Sequence, residues 1–165
     1  MTFRKRTFKS VGRAASDLAA LVQGRREMAE MMVGTEDLSP ALREKIMLAV
    51  TSVNKCRYCS AVHSKLALRE GLTAEEVDAI LRGDFDDVSP EEREVLLYAQ
   101  HWAETSGHPD AAVRQRVVET YGAKRTALFE AAIRAIMFGN YFGNGFDSIL
   151  DKVTAGRLTT DTVND

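Results

Sequence analysis

Apolar residues recur at helical spacing along most of the chain, and the alternation typical of half-buried strands is scarce. The longest such segment runs from Thr126 to about Leu150, and its apolar stripe follows intervals of three and four residues: Phe129, Ala132, Ile133, Ile136 and Met137. This segment is apolar enough to predict the central buried helix of the fold. A second series, from Ala14 to Met32, predicts one further helix near the N-terminus.

Helix-start and helix-stop signals divide the rest of the chain. Three segments begin with an N-cap residue, either before a proline or as a capping box: Ser39-Pro40, Thr73-Ala74-Glu75-Glu76 and Ser89-Pro90-Glu91-Glu92. The apolar run 46–50 has the length of a buried strand, but the cap and the helix formers before it favour a helix. Further helices are expected from about Cys56 to Glu70 and from about Asp110 to Tyr121, each followed by glycine.

These elements predict an all-α fold with a single domain, because no repeat or long linker divides the chain. We expect an N-terminal arm and helix over residues 1–37, for which a subunit interface is one interpretation. A helical domain should follow over residues 38–150, and a polar tail over residues 151–165.

Composition narrows the function classes without choosing one. The 165 residues include 22 basic and 24 acidic side chains, a net charge of −2, which argues against a nucleic-acid partner. The basic N-terminal cluster lacks the apolar run of a secretory signal, and we expect a solvated, partly disordered arm. No apolar run approaches the ~20 residues of a membrane span, so we expect a cytoplasmic protein. In a reducing compartment, two close cysteines are more often catalytic or metal-binding than structural.

The two cysteines and a histidine share one helix face. Cys56 and Cys59 are three residues apart, and His63 follows Cys59 by four, so the three side chains lie within mutual reach. Cys56 is expected in the first turn, where the helix dipole stabilises a thiolate. His63 can accept a proton from Cys59, and the second thiol can close a disulfide.

A histidine that acts as a base needs its other ring nitrogen held, most often by a carboxylate. Glu44 precedes Cys56 on the preceding predicted helix and is one candidate. Glu70 and Asp78 are others, and spacing alone does not choose among the three.

The order Glu44, Cys56-x-x-Cys59 and His63 resembles the core motif of the carboxymuconolactone decarboxylase superfamily, in its alkylhydroperoxidase D-like branch. The likeness extends over about Leu38 to Leu150, through the Leu72–Val77 connector and a long apolar helix that carries Asn140-Tyr141. Tyr58 stands where the best-studied branch has a second histidine, and we expect it to support the site.

This resemblance implies an all-helical homo-oligomer, commonly a trimer or hexamer, that reduces hydroperoxides without a cofactor or metal. It implies a proton relay from Glu44 through His63, with Cys59 as the peroxidatic thiolate and Cys56 as the resolving thiol. A lipoyl or thioredoxin-like dithiol protein would then reduce the disulfide.

Other interpretations stay open at this point. His63 and Glu44 could serve as acid and base of a lyase or isomerase acting on a small carboxylate, with the cysteines incidental. The chain could be a non-enzymatic redox-sensing subunit. The thiols could be buried small hydrophobes, or zinc ligands, although three ligands along one helix surround a metal poorly.

Overall fold

The computed structural model describes residues 5–154, which form seven helices and no strand. Their bounds are α1 Val11–Gln23, α2 Arg25–Val33, α3 Pro40–Asn54, α4 Arg57–Arg69, α5 Ala74–Arg82, α6 Pro90–Glu104 and α7 Ala111–Thr154. The all-α prediction is confirmed.

The predicted caps begin the helices that they were expected to begin. The hydroxyls of Ser39, Thr73 and Ser89 each accept a hydrogen bond from the backbone N–H three residues later. At Thr73 the Glu76 carboxylate also accepts from the Thr73 backbone N–H, which completes a capping box. These local bonds satisfy amide groups that the helix itself leaves without partners.

Helix α3 occupies the centre of the fold. Every residue from Ile46 to Asn54 is buried, and the helix packs against α4, α5, α6 and α7. The segment from Thr126 to about Leu150, predicted as the central buried helix, lies in α7, which packs against α1, α2, α3, α4 and α6. Most of its residues from Leu128 to Met137 are buried, but Arg134 is exposed and the later turns expose apolar side chains. Helix α3 is thus the more completely buried of two central helices.

Two glycines interrupt the helical backbone, one inside a segment predicted as a single helix and one at a predicted break. Gly24 separates α1 from α2 within the predicted single helix. Gly122, at φ 81°, interrupts the helical dihedrals of α7 at the predicted break, and the last helix then continues to Thr154 rather than ending near Leu150. The first four residues of the expected polar tail are thus helical, and residues 155–165 lie outside the described chain.

Residues 5–10 dock on their own chain instead of forming the expected solvated arm, and residues 1–4 lie outside the described chain. Phe8 packs edge-on against Phe138 and Tyr141, with ring centroids 5.2 and 5.4 Å away. The guanidinium of Arg6 donates hydrogen bonds to the carbonyl oxygens at the end of α6. Helices α1 and α2 also pack on α7. Among the described helices, none is both long enough and apolar enough to cross a bilayer.

Candidate active site

The site forms where α3 ends and α4 begins. Lys55 adopts the left-handed conformation at φ 55°, ψ 44°, and this turns the chain between the two helices. Cys56 follows as the N-cap of α4, one residue before the first turn in which it was predicted. Its Sγ accepts a hydrogen bond of 3.3 Å from the backbone N–H of Cys59. A sulfur therefore does what a serine or aspartate oxygen usually does at a helix start.

The two thiols form no disulfide, and the hydrogen bond between them shifts their two pKa values in opposite directions. A hydrogen bond with the Cys59 side chain is the largest cause that lowers the pKa of Cys56 to about 7. The backbone amides of Cys59 and Tyr58 act in the same direction, and burial opposes them. The same thiol–thiol bond, together with burial, raises the pKa of Cys59. The thiolate of the reduced pair is thus on Cys56, and Cys59 keeps its proton.

Helix α7 closes one side of the sulfur pair at Gly143. A Cβ atom at this position would lie 2.8 Å from Cys56 Sγ and 3.8 Å from Cys59 Sγ. A glycine four residues earlier, Gly139, has no such neighbour within 4 Å. Only Gly143 therefore needs to be glycine for the helix to approach the sulfurs this closely.

Buried amides on the same face of α7 hold the end of α3. Asn54 Nδ2 donates to Asn140 Oδ1 at 3.1 Å, and Asn140 Nδ2 donates to Thr51 Oγ1 at 3.2 Å. Asn144 Nδ2 donates to the backbone oxygens of Asn54 and Arg6, at 2.7 and 2.9 Å. These bonds fix the backbone immediately before Cys56, because each donor is committed to a buried acceptor.

Glu44 of α3 and His63 of α4 form a hydrogen-bonded pair. His63 Nδ1 lies 2.7 Å from Glu44 Oε2, and Arg43 Nε donates to Glu44 Oε1 at 2.9 Å. The Glu44 side chain is 1% exposed and that of His63 is 18% exposed. An ionised carboxylate only accepts hydrogen bonds, so Nδ1 of His63 is the donor in this pair, and Nε2 is the ring nitrogen that a base would use. Within residues 5–154 no hydrogen bond joins His63 to either sulfur.

Tyr58 belongs to a charged cluster at the outer edge of the site. Its hydroxyl accepts from Arg57 at 2.8 Å and donates to Asp147 Oδ1 at 3.2 Å, and Arg57 also pairs with Asp147 at 2.6 Å. Lys5 binds the other oxygen of Asp147. Burial alone would raise the pKa of Asp147, but the hydrogen bond and charge of Lys5 and the charge of Arg57 hold it below its usual value.

A cleft of about 240 Å³ is lined by Cys56 together with residues of α3, α4 and α5, and no residue of α7 is part of its lining. Thr51 and Ser52 of α3 and Ser60 of α4 contribute hydroxyl groups to its wall. Lys55 and Arg57 supply positive charge, and Leu81 of α5 closes the end. The Cys56 residue is 1% exposed, and this cleft is an opening in the surface that Cys56 lines.

The sequence located most of this arrangement and missed its α7 wall. Glu44, not Glu70 or Asp78, is the carboxylate beside His63. Gly143 and Asp147 were not expected at the site, and neither was Arg43. Gly143 did carry a signal, since the Gly139-x-x-x-Gly143 spacing is typical of close helix packing. Among the described residues, no three His, Cys, Asp or Glu side chains gather as ligands for a metal ion.

Comparison with known proteins gave one match. The model of the carboxymuconolactone decarboxylase family matches residues 19–101, a stretch that contains Glu44, both cysteines and His63. No curated protein and no solved structure matched the chain.

Proposed function

The chain belongs to the carboxymuconolactone decarboxylase family, and on that premise we propose that it is a thiol-dependent peroxidase of the alkylhydroperoxidase D-like branch. The observation that carries this proposal is the sulfur pair. Cys56 has a pKa of about 7 and lies at the N-terminus of α4, in hydrogen-bond contact with a second thiol three residues away. A low-pKa thiolate with an adjacent resolving thiol is what reversible peroxide reduction requires.

The reaction balances with these two residues and a hydroperoxide. The thiolate attacks the terminal oxygen, the O–O bond breaks, and the sulfur becomes a sulfenic acid while an alkoxide leaves. The alkoxide takes a proton and departs as the alcohol. The second thiol then displaces hydroxide from the sulfenic acid, which forms the Cys56–Cys59 disulfide and releases water after protonation.

The contacts of the sulfurs support a definite order of attack. The resemblance assigns the attack to Cys59 and the resolving role to Cys56. We propose the reverse order for this chain, because Cys56 holds the thiolate and Cys59 retains its proton in the reduced pair. Cys59 can give that proton to the leaving alkoxide, and it is then itself ready to attack the sulfenic acid.

Glu44 and His63 act as the proton reservoir of the cycle in this proposal. Nε2 of His63 carries the Cys59 proton to the leaving alkoxide, and Glu44 stabilises the imidazolium that forms on the way. Since no direct bond joins His63 to a sulfur in the resting state, transfer requires a bridging solvent molecule or rotation of the Cys59 side chain. Tyr58 has a supporting role through its bonds to Arg57 and Asp147.

The partners follow from the chemistry. The disulfide must be reduced by an external dithiol, and we propose a lipoyl or thioredoxin-like protein as its source. The cycle as written uses only the two sulfurs and protons, and it calls for neither a cofactor nor a metal. We further propose that the protein is cytoplasmic, because a reducing compartment keeps the cysteine pair in its active dithiol state. We also propose that it is a homo-oligomer, as the family resemblance implies.

Steady-state assays with hydroperoxide and dihydrolipoamide test the proposal. Wild-type protein should turn over, Cys56→Ser and Cys59→Ser should each lose turnover, and Glu44→Gln should slow it by about 10²-fold or more. A sulfenic-acid trap then identifies the attacking sulfur, since our order predicts trapping in Cys59→Ser and none in Cys56→Ser. Equal turnover by wild type and Cys56→Ser/Cys59→Ser would refute the peroxidase proposal.

A second candidate function is favoured by the Glu44–His63 pair, which is assembled without any cysteine atom. Such a pair could serve a lyase or isomerase acting on a small carboxylate as acid and base. That activity should survive in a Cys56→Ala/Cys59→Ala double variant and disappear in His63→Ala. Screening γ-lactone and unsaturated dicarboxylates with these two variants separates it from the peroxidase.

A further inference from the structure

Arg43 binds two parts of the molecule at once. Its Nε donates to Glu44 Oε1 at 2.9 Å, and its Nη1 donates to the backbone oxygens of Met31 and Met32, at 3.3 and 3.0 Å. These two oxygens belong to the last turn of α2, where the carbonyl groups of a helix have no partner within it. A cation is favourable there, because the helix dipole places partial negative charge at this end. The guanidinium of Arg43 is therefore held between the end of α2 and the carboxylate beside His63.

The contact between Arg43 and Glu44 is one that a helix does not supply by itself. Neighbouring residues of a helix point in directions about 100° apart, so their side chains do not normally face each other. Arg43 meets Glu44 because its side chain bends back, and a free side chain would lose conformational entropy in doing so. Since the bonds to Met31 and Met32 already restrict the guanidinium, the contact with Glu44 costs little further freedom.

Each oxygen of the Glu44 carboxylate has its own partner. Oε1 accepts from Arg43, and Oε2 lies 2.7 Å from Nδ1 of His63. The Glu44 side chain is 1% exposed, so solvent does little to hold its orientation. The last torsion of a glutamate side chain is broad and roughly two-fold, and the carboxylate turns readily unless one oxygen is fixed. Arg43 fixes Oε1, because its guanidinium is itself anchored on α2.

We propose that Arg43 is a positioning residue of the proton relay, a role that rests on the proposed peroxidase function. It keeps Oε2 of Glu44 turned to His63 Nδ1, which leaves Nε2 of the ring for the proton of Cys59. Within residues 5–154 no hydrogen bond joins Arg43 to either sulfur, and no bond is made or broken at Arg43 in the cycle. Arg43 acts through Glu44, and α2 thereby contributes to a site that lies at the junction of α3 and α4.

A double-mutant cycle tests whether Arg43 acts through Glu44. The quantity measured is the rate constant for single-turnover oxidation of the reduced protein by cumene hydroperoxide, which needs no reductant. In wild type, Arg43→Met should lower this rate constant about tenfold, because the relay loses its orientation. In Glu44→Gln, where the carboxylate is already absent, the same change should cost less than about twofold. Losses of similar size in both backgrounds would overturn the inference, and so would an unchanged rate in Arg43→Met alone.

Two further variants separate positioning from folding. Arg26→Met is the matched control, because Arg26 Nε also donates to a glutamate, Glu30, at 3.1 Å on α2, and its loss should leave the rate unchanged. Arg43→Lys keeps the charge but not the planar fork that binds Glu44 and α2 together. Its thermal midpoint should therefore stay closer to wild type than that of Arg43→Met, while its rate remains several-fold low. A wild-type rate in Arg43→Lys, or an equal loss in Arg26→Met, would overturn the inference.

The imidazole ring of His63 gives a readout that does not depend on peroxidase activity. Nitrogen-15 NMR should show a protonated Nδ1 in wild type and in Arg26→Met, and His63→Ala assigns this signal among the three histidines. In Arg43→Met the Nδ1 proton should exchange faster with solvent and its signal should broaden, because Glu44 no longer stays turned to the ring. An unchanged signal in Arg43→Met would overturn the inference. If the signal responds as expected but hydroperoxide leaves wild type unoxidised, the peroxidase proposal fails and Arg43 stands as the residue that orients Glu44.

Discussion

At the scale of single residues, the chemistry depends on a cysteine that caps a helix. A serine at position 56 could make the same capping bond, but its oxygen would not ionise near neutral pH. The same hydrogen bond from the Cys59 backbone N–H therefore caps the helix and stabilises the thiolate of Cys56. Cys59 adds the hydrogen bond that contributes most to the low pKa of Cys56.

The hydrogen bond from Cys59 predicts how the pKa of Cys56 responds to substitution at position 59. In wild type, half of the Cys56 thiol should be ionised at a pH of about 7, because its pKa is lowered to that value. Cys59→Ala removes the side-chain donor and should move the midpoint to higher pH, whereas Cys59→Ser keeps a hydroxyl donor and should move it less. The pH dependence of the iodoacetamide reaction rate measures each midpoint. Identical midpoints in the Ala and Ser variants would show that the thiol–thiol bond is not the cause.

Gly143 gives a second residue-scale prediction with a matched control on the same helix. Both Gly139→Ala and Gly143→Ala should gain up to ~1 kcal/mol of helix propensity. Gly143→Ala also places a methyl group 2.8 Å from Cys56 Sγ, and overpacking typically costs about 1–3 kcal/mol. Chemical denaturation should therefore find Gly139→Ala more stable than wild type and Gly143→Ala no more stable, with only the latter changing thiol reactivity. Equal behaviour of the two variants would contradict the close approach of α7.

At the scale of elements, α7 contributes residues to the site from three successive turns. Asn140, Gly143 with Asn144, and Asp147 follow the spacing of one helix face and meet the end of α3, the sulfurs and the start of α4 in that order. The N-terminal segment crosses the same region, through Lys5 and Arg6. The site is thus held by a junction of two helices and by a third helix that covers it.

Asp147 links α7 to the start of α4, and its replacement should lower both the stability of the protein and the pKa of Cys56. Asp147→Asn removes ion pairs with Lys5 and Arg57 and should cost about 1–2 kcal/mol of unfolding free energy, since both partners are partly exposed. The negative charge of Asp147 raises the pKa of Cys56, so the same variant should lower that pKa. Denaturation and thiol titration measure the two effects. The control is Asp87→Asn, an exposed change of equal charge that should alter neither, and an unchanged or higher Cys56 pKa in Asp147→Asn would contradict the account.

The sequence predicted what depends on local chemistry and missed what depends on packing between distant elements. Caps such as Thr73 act on amides three residues away, so their pattern is visible in the chain. The relation of His63 to the cysteines is likewise set by the periodicity of one helix. Asp147, in contrast, resembles any solvated acid on a helix until Lys5 and Arg57 are placed beside it. The choice of Glu44 over two other carboxylates also needed the packing of α3 on α4.

At the scale of the whole molecule, the last turns of α7 carry an apolar stripe that no other part of residues 5–154 covers. Its members recur at intervals of four, three and four residues and are each at least half exposed: Phe142, Phe146, Ile149 and Val153. This spacing is typical of a helix that pairs with another helix. Phe146 of this stripe packs edge-on against Tyr58, with ring centroids 6.3 Å apart, so a chain packed on the stripe would lie beside the Tyr58 cluster.

The homo-oligomer implied by the resemblance stays a prediction, and this stripe specifies how to test it. We expect a second copy of the chain to cover the stripe, since fully burying each Phe contributes about 1.5–3 kcal/mol. Light scattering should find an oligomer for wild type and a smaller species for Phe142→Asp/Phe146→Asp. Leu97→Asp, an exposed apolar position on α6, is the control and should leave the mass unchanged. A wild-type monomer would contradict the prediction, and a mass that changes with oxidation would favour a redox-sensing role.

In the proposed reaction, one chain reduces one hydroperoxide with its own two thiols. The most direct measurement treats reduced protein, free of any reductant, with one equivalent of cumene hydroperoxide and quantifies both the alcohol product and the free thiols. The account predicts one alcohol formed per chain, with the loss of both thiols to a Cys56–Cys59 disulfide that peptide mapping identifies. Unchanged thiols, or thiols lost without an equal yield of alcohol, would contradict it.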